Sequence, residues 1–130
     1  YPPGKEAIKS LEWLNSYDDS KSIVLSHYKN GFWLEYFSKV AVIDENFYFT
    51  PDLLQVYNET QTIFYSRNLE RTAKLLNKYD VSYIWITPEM KNGEVWSKEN
   101  EGLLFLFRNK EFFDKIYDKG SIEIWQYKRG

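Results

Sequence analysis

A chain of 130 residues has the size of one domain and can bury about two-thirds of its unfolded surface in a core. Its net charge of −2 comes from 17 basic and 19 acidic residues with no basic stripe, which argues against nucleic acid as a partner. The absence of cysteine excludes disulfides, thiolate metal sites and cysteine nucleophiles, and the single histidine, His27, rules out a histidine-rich metal site.

The first third of the chain alternates helices with short apolar strands. We expect a helix from about Lys5 to Ser16, a strand over Ile23–Leu25, a helix from about Asn30 to Ser38 and a strand over Val40–Ile43. Both strands are wholly apolar, which is typical of strands that are covered on both faces. The apolar face of the first helix consists of Ala7, Leu11 and Leu14.

The middle of the chain gives a weaker pattern. Pro51 suits the first position of a helix and predicts a short one ending at Tyr57, after which Thr62–Tyr65 indicates a brief strand. Asn58, Glu59 and Thr60 form a glycosylation sequon that we place in a loop, and it matters only if the domain faces outward. A clearer helix follows from about Asn68 to Lys78, with an apolar stripe of Leu69, Ala73 and Leu76.

The last third of the chain predicts two more helix and strand units. Val81–Ile86 is a strand that stops at Thr87 and Pro88, and Ser97 caps a helix expected from Lys98 to Asn109. Phe112–Tyr117 and Ile122–Tyr127 are strands whose tight connection indicates a hairpin. The alternation predicts an α/β fold, a three-layer sandwich whose mostly parallel mixed sheet carries helices on both faces and ends in an antiparallel hairpin.

The junction after the first strand is the strongest candidate for a binding site. The apolar strand runs directly into His27, Tyr28, Lys29, Asn30 and Gly31. Ligands of α/β proteins commonly lie at the carboxyl ends of strands, and Asp44 and Asn46 follow the second strand in the same way. The alternative is that these residues only cap and turn the chain, with Gly31 allowing close packing or a positive φ.

The aromatic residues that follow the junction have a structural explanation. Phe32, Trp33, Tyr36 and Phe37 recur at one-turn spacing along the expected helix, and we expect them to lie in the core. Aromatic residues make up 19% of the chain, so a bulky aromatic core is needed in any case.

Several segments together resemble a known family. Ala7–Leu14 matches a helix, Ser22–Ser26 a strand, Val40–Asn46 a following strand and Leu75–Ile84 a later helix and strand. The pattern resembles the soluble extracytoplasmic domain of archaeal oligosaccharyltransferase catalytic subunits and related multi-pass glycosyltransferase-like membrane proteins. In that family the first strand leads to a Trp-Trp-Asp-Tyr-Gly motif, and the resemblance covers most of the chain.

The resemblance implies a site but also shows where this chain departs from the family. His27 and Tyr28 stand at the two tryptophans, Lys29 at the aspartate, Asn30 at the tyrosine and Gly31 at the glycine. The family motif is implied to grip the hydroxyl of the acceptor sequon. Lys29 reverses the charge of the aspartate and removes a hydrogen-bond acceptor, so the resemblance implies a relative with a different acceptor or with no transferase role.

The resemblance also implies a setting for the chain. We expect one domain over residues 1–130, cut from a larger membrane protein, because the chain starts at Tyr1 and its only methionine is Met90. The longest apolar run, Leu103–Phe107, is far too short to span a membrane. The domain would lie on the extracytoplasmic face of the cell membrane, with the membrane part of its parent and a glycan or peptide acceptor as partners.

Three classes of function remain open. The first is a non-catalytic domain of a glycosyltransferase-like membrane protein that helps to recognise an acceptor or lipid-linked sugar; it needs no cofactor, and a divalent metal would belong to the membrane part. The second is a stand-alone α/β module that binds a protein or glycan. The third is a small enzyme that uses His27 and a carboxylate. The sequence disfavours this class, because it contains neither a phosphate-binding glycine loop nor a nucleophile elbow.

Overall fold

The computed structural model describes residues 4–43 and 51–129, which build five strands and five α-helices. The strands are β1 (Ile23–Leu25), β2 (Val40–Ala41), β3 (Val81–Ile86), β4 (Phe113–Lys119) and β5 (Ile122–Tyr127). The helices are α1 (Lys5–Tyr17), α2 (Gly31–Tyr36), α3 (Pro51–Tyr65), α4 (Leu69–Lys78) and α5 (Leu103–Leu106). A 3-10 turn at Tyr28–Asn30 joins β1 to α2, and a wide turn spans Met90–Glu94.

The strands form one mixed sheet in the order β2-β1-β3-β5-β4. β1 pairs in parallel with β2 and with β3, whereas β5 pairs antiparallel with β3 and with β4. A tight turn at Gly120 and Ser121, both with positive φ, joins the last two strands. The predicted α/β class and the C-terminal antiparallel hairpin are confirmed.

The sheet separates two apolar cores. Side chains alternate between the faces of a strand, so Tyr83 and Trp85 of β3 pack beneath α1 and α2, while Ile84 and Ile86 pack beneath α3, α4 and α5. The buried face of α1 consists of Ala7, Leu11 and Leu14, as its spacing predicts. Helices therefore cover both faces, and the predicted three-layer arrangement is confirmed.

Helix α3 corrects the prediction for the middle of the chain. A single helix runs from Pro51 to Tyr65, in place of a short helix and a brief strand. Thr60, Ile63 and Phe64 are buried at helical spacing, because this helix packs on α4 and α5. Packing thus overrides the preference of β-branched residues for strands. Asn58 of the sequon lies exposed on this helix and not in a loop.

Helix α5 is much shorter than the twelve-residue helix expected from Lys98 to Asn109. Only Leu103–Leu106 is α-helical, and residues 97–102 form turns. Gly102 has φ 53° and ψ −123°, a conformation that cannot continue a helix. The Glu101 carboxylate accepts a hydrogen bond from the backbone N–H of Ser97 at 3.1 Å, which stabilises the turn in place of a helix.

The prediction that the four aromatic residues in and directly after α2 are core residues is wrong for two of them. Phe32 is 48% exposed and Tyr36 is 69% exposed, while Trp33 and Phe37 are partly buried against the α1 side of the sheet. The side chain of α2 that is fully buried is Leu34. The helix spans only six residues, so one narrow stripe meets the core and its flanks stay open to water. No helix of the described residues has the length and apolar character needed to span a membrane.

Candidate functional site

The candidate site lies where two parallel strands end at the same edge of the sheet. Leu25 pairs with Ile84, so the chain leaves β1 at Ser26 close to where it leaves β3 at Thr87. The 3-10 turn and the Met90–Glu94 turn follow these ends. The carboxyl edge of parallel strands thus gathers two polar turns, as α/β binding sites commonly do.

A buried hydrogen-bond network fixes the start of the junction. The Ser26 hydroxyl donates to the carbonyl of Trp85 at 2.8 Å, and the Asn30 side-chain amide donates to the Ser26 oxygen at 2.9 Å. The Met90 sulfur accepts the backbone N–H of Thr87 at 3.5 Å and lies equally far from Ser26. Because these groups are satisfied internally, Asn30 is a positioning residue and holds the turn against β3.

His27 caps the 3-10 turn and faces a carboxylate. Its Nδ1 accepts the backbone N–H of Lys29 at 3.3 Å, which leaves the ring hydrogen on Nε2 in the neutral form. The same Nδ1 lies 3.6 Å from Oε1 of Glu94. The side chains of His27 and Glu94 are 12% and 26% exposed, so both titratable groups are partly withdrawn from water.

Burial governs the protonation of both groups. Desolvation lowers the pKa of His27 to about 4, and the positive charge of Lys29 adds to that effect. Desolvation also raises the pKa of Glu94; the charge of Glu89 acts in the same direction, while Lys29 opposes it. At neutral pH His27 is therefore an uncharged ring that presents a hydrogen-bond donor at Nε2.

The other predicted residues of the junction occupy different environments. The Tyr28 ring lies between His27, at a centroid distance of 4.4 Å, and Tyr57 of α3, at 6.1 Å. Lys29 is exposed and takes part in none of the ion pairs found among the described residues. Gly31 is buried with φ −59°, so the positive φ that the sequence allows for it is not used.

The structure adds two residues to the site, and two predicted ones fall outside the residues that it describes. Met90 and Glu94 reach the junction from the turn after β3, although the sequence there predicts only a turn at Asn92 and Gly93. Asp44 and Asn46 lie outside the described residues. No local sequence pattern indicates that Glu94 belongs to the site, because its contact with His27 depends on the parallel pairing of β1 with β3.

The groups of the junction are suited to binding a ligand. No hydrogen bond within the described residues joins His27 to a hydroxyl group, so a nucleophile activated by this ring is absent there. No group of three or more His, Asp or Glu side chains that could hold a metal ion occurs in residues 4–43 and 51–129. The exposed ammonium of Lys29, with the partly buried rings of His27 and Tyr28 beside it, suits a polar ligand with exposed oxygens.

Comparison with known proteins places the fold in one structural class. No protein-family model and no curated protein sequence matches the chain. Solved structures do match it over 98% of its length, and two of them are C-terminal globular domains of archaeal oligosaccharyltransferases. The chain has the fold of that class of domain.

The individual structures come from Archaeoglobus fulgidus. Two crystal structures of a C-terminal globular oligosaccharyltransferase domain match with TM-scores of 0.70 and 0.63 at 18% and 20% identity, and the match covers 100% and 98% of those chains. A third, an oligosaccharyltransferase tethered by a disulfide to an acceptor peptide with the Asn-Val-Thr sequon, matches with a TM-score of 0.52 at 16% identity. This chain spans 18% of that longer one. Identities this low show the fold alone, so the likeness of His27–Gly31 to the family motif stays a prediction.

Proposed function

We propose that this chain is the non-catalytic, extracytoplasmic domain of a larger membrane protein related to oligosaccharyltransferases. In this proposal the domain contributes to recognition of an acceptor or a lipid-linked sugar. The transfer chemistry, and any divalent metal that it uses, belongs to the membrane part of the parent. The observation that carries the proposal is the match over 98% of the chain to isolated C-terminal globular domains of that enzyme class.

The junction is the part of the domain that we assign to recognition. His27, Tyr28, Lys29, Asn30 and Gly31 lie at the carboxyl edge of the sheet, where one turn carries an exposed ammonium, a partly buried aromatic ring and a mostly buried neutral imidazole. These groups donate hydrogen bonds, whereas an aspartate at the position of Lys29 would accept them. The ligand of this chain should therefore present oxygen acceptors or a negative charge, in place of a simple hydroxyl donor.

A peptide titration tests this assignment. The ¹⁵N-labelled domain is titrated with a peptide containing Asn-Val-Thr, with its Asn-Val-Ala analogue, and with an Asn-Val-Asp analogue that carries a carboxylate. We expect saturable amide shifts at residues 27–31 that are largest for the carboxylate peptide, because Lys29 supplies a charge-assisted hydrogen bond. Lys29→Met should abolish that preference, and Lys21→Met, which removes an exposed lysine before β1, should leave it unchanged.

Two results would contradict the recognition role. Equal shifts for all three peptides would show that the junction does not read the third residue. Shifts confined to a surface remote from residues 27–31 would move recognition elsewhere on the domain.

A stand-alone binding module is the second candidate, and one observation favours it. Phe32 and Tyr36 are exposed on α2, directly after the junction, and they flank Trp33 at centroid distances of 5.1 and 5.9 Å. Exposed aromatic rings of this kind suit contacts with a protein or with the apolar face of a sugar. The length of the native polypeptide separates the two candidates, since a stand-alone module has no membrane part.

A further inference from the structure

A second concave surface lies on the α5 side of the sheet and is lined by residues other than those of the His27–Gly31 junction. It is a cleft of about 710 Å³ between the turn that contains Lys91, the segment from residue 97 to residue 99, the end of α5 and the outer face of β4 and β5. The Phe107 and Trp125 rings form its floor and stack in parallel, with centroids 4.1 Å apart. Both rings are buried, so the groups that a ligand can reach are the polar side chains around them.

The cleft concentrates positive charge in a chain that is acidic as a whole. Five basic side chains line it and only two carboxylates, so the lining carries an excess of three positive charges, against −2 for the full sequence. The basic residues are Lys91, Lys98, Arg108, Lys110 and Lys115, and the acidic ones are Glu99 and Glu123. Positive potential focused by a concave, low-dielectric surface attracts anions.

Most of this positive charge is not neutralised within the protein. Lys91 pairs with Glu123, and the Lys115 Nζ lies 2.9 Å from Asp118. The other three basic residues of the cleft, Lys98, Arg108 and Lys110, form no ion pair within the described part of the chain. Their charges are available to a ligand.

Aromatic rings hold several of these cations in place. The ammonium groups of Lys110 and Lys115 lie 5.8 and 5.6 Å from the centroid of Trp125, and the Arg108 guanidinium lies 4.1 Å from that of Phe105. Cation–π contacts at these distances restrain long side chains that would otherwise sample many rotamers. The cleft therefore presents positioned cations, which lowers the entropy cost of binding an anion.

We propose that this cleft binds a ligand through a phosphate-type group that carries two or more negative charges. The three unpaired positive charges are more than a single carboxylate can neutralise. Four of the five cations are lysines, whose compact ammonium groups bind phosphate oxygens as point charges. The volume of the cleft admits a diphosphate or a phosphorylated sugar. This site shares no residue with the His27–Gly31 junction, so it does not depend on the recognition role proposed above.

A titration with inorganic diphosphate tests the site. The ¹⁵N-labelled domain should show saturable shifts at the cleft residues with diphosphate, and weak, non-saturating ones with acetate at equal ionic strength. The double variant Lys98→Glu, Lys110→Glu should bind diphosphate at least about tenfold more weakly, because two unpaired cations become anions. The matched control Lys5→Glu, Lys21→Glu changes the net charge equally at exposed lysines of α1 and the loop after it and should bind as the parent does.

Some outcomes would overturn the proposal. Equal weakening in both double variants would mean that diphosphate responds only to net charge, and no specific cleft site would remain. The same conclusion follows if diphosphate shifts fail to saturate in the parent protein. All substituted lysines are exposed, so we expect thermal unfolding to show that both variants are folded. Competition between diphosphate and sulfate for the parent protein is a further binding measurement, and it needs no variant.

A vesicle experiment identifies the source of the phosphate. The domain is sedimented with phosphatidylcholine vesicles that contain phosphatidic acid and with neutral phosphatidylcholine vesicles. Binding only to the acidic vesicles, reversed by free diphosphate, assigns the site to a lipid headgroup. Binding of free diphosphate without vesicle binding assigns it to a water-soluble phosphorylated ligand, and both results uphold the phosphate site.

Discussion

At the scale of single residues, His27 provides a direct test of the electrostatics of the junction. Its folded pKa of about 4 lies below the unfolded value of 6.5, so the unfolded chain binds the proton first. The contribution of His27 to the free energy of unfolding is therefore complete above pH 6.5 and is lost as the pH falls toward 4. The chain has one histidine, so a single imidazole resonance followed by NMR should titrate with a midpoint near 4.

Comparison with His27→Gln isolates this effect from the carboxylates that titrate in acid. The difference in unfolding free energy between parent and variant should change between pH 6.5 and 4 and stay constant above pH 7. A histidine midpoint above 6.5 would mean that attraction to Glu94 outweighs desolvation, and the ring would then be a cation at the junction.

Lys39 is a second residue with a measurable role. Its side chain is only 3% exposed and its ammonium donates to the carbonyls of Asp18 and Ser20, at 2.5 and 2.7 Å. Burial lowers its pKa, while Asp18 and Asp19 act in the opposite direction. Lys39→Met should lower the unfolding free energy by about 1–3 kcal/mol, because it leaves two carbonyls without donors.

Denaturant unfolding measures the effect of Lys39→Met. The exposed Lys21 serves as the control, and Lys21→Met should change stability by no more than about 0.5 kcal/mol. An equal and small effect of the two substitutions would show that water can replace the ammonium of Lys39 in the loop after α1.

The sequence locates some of these residues and misses others for a physical reason. His27 to Gly31 follow an apolar strand, and that local signal is enough to place them at a junction. Glu94 and Met90 are more than 60 residues away from Ser26 and His27 along the chain and reach them only because β1 and β3 pair in parallel. Contacts of this kind depend on topology, which local spacing does not encode.

At the scale of secondary-structure elements, substitutions on the two faces of α2 should differ in their effect on the free energy of unfolding. Leu34 is buried, so Leu34→Ala should lower the unfolding free energy by about 2–5 kcal/mol. Tyr36 is 69% exposed, and Tyr36→Ala should change it by no more than about 0.5 kcal/mol. Denaturant unfolding of the two variants measures the difference, and a large loss for Tyr36→Ala would restore the core role that the sequence predicts for it.

Substitution of two glycines by alanine should lower stability by different amounts, because only one of them, Gly102 before α5, is closely packed. A Cβ on Gly102 would lie 2.7 Å from the Tyr65 Cα and closer still to the Phe64 carbonyl, at a backbone φ of 53°. Gly93 also has a positive φ, 112°, but a Cβ there meets nothing within 4 Å. Gly93→Ala carries backbone strain of about 1–3 kcal/mol, and Gly102→Ala should cost more because α3 must also shift. Thermal unfolding compares the two, and equal losses would contradict the close packing of Gly102 on α3.

The elements that the sequence predicts well are those whose spacing and packing agree. α1, α4 and β5 have a clear apolar face or alternation and lie within a residue or so of their predicted bounds. α3 and α5 depart from prediction because distant packing extends the first and a single glycine conformation shortens the second.

At the scale of the whole molecule, the alternating order of helices and strands is sufficient to predict three layers around a mixed sheet. The order of strands in the sheet was not predicted, because it depends on which long-range pairs form. The fold then agrees with C-terminal globular domains of archaeal oligosaccharyltransferases at 18–20% identity, which places the chain in one structural class.

The central claim, that this domain belongs to a larger glycosyltransferase-like membrane protein, is tested most directly by the reading frame upstream of Tyr1. The account predicts a continuous frame with several apolar segments of about 20 residues, each long enough to span a membrane, and acidic residues in the loops between them. A start codon directly upstream of Tyr1, with no apolar segment of that length, would contradict it and leave the stand-alone binding module.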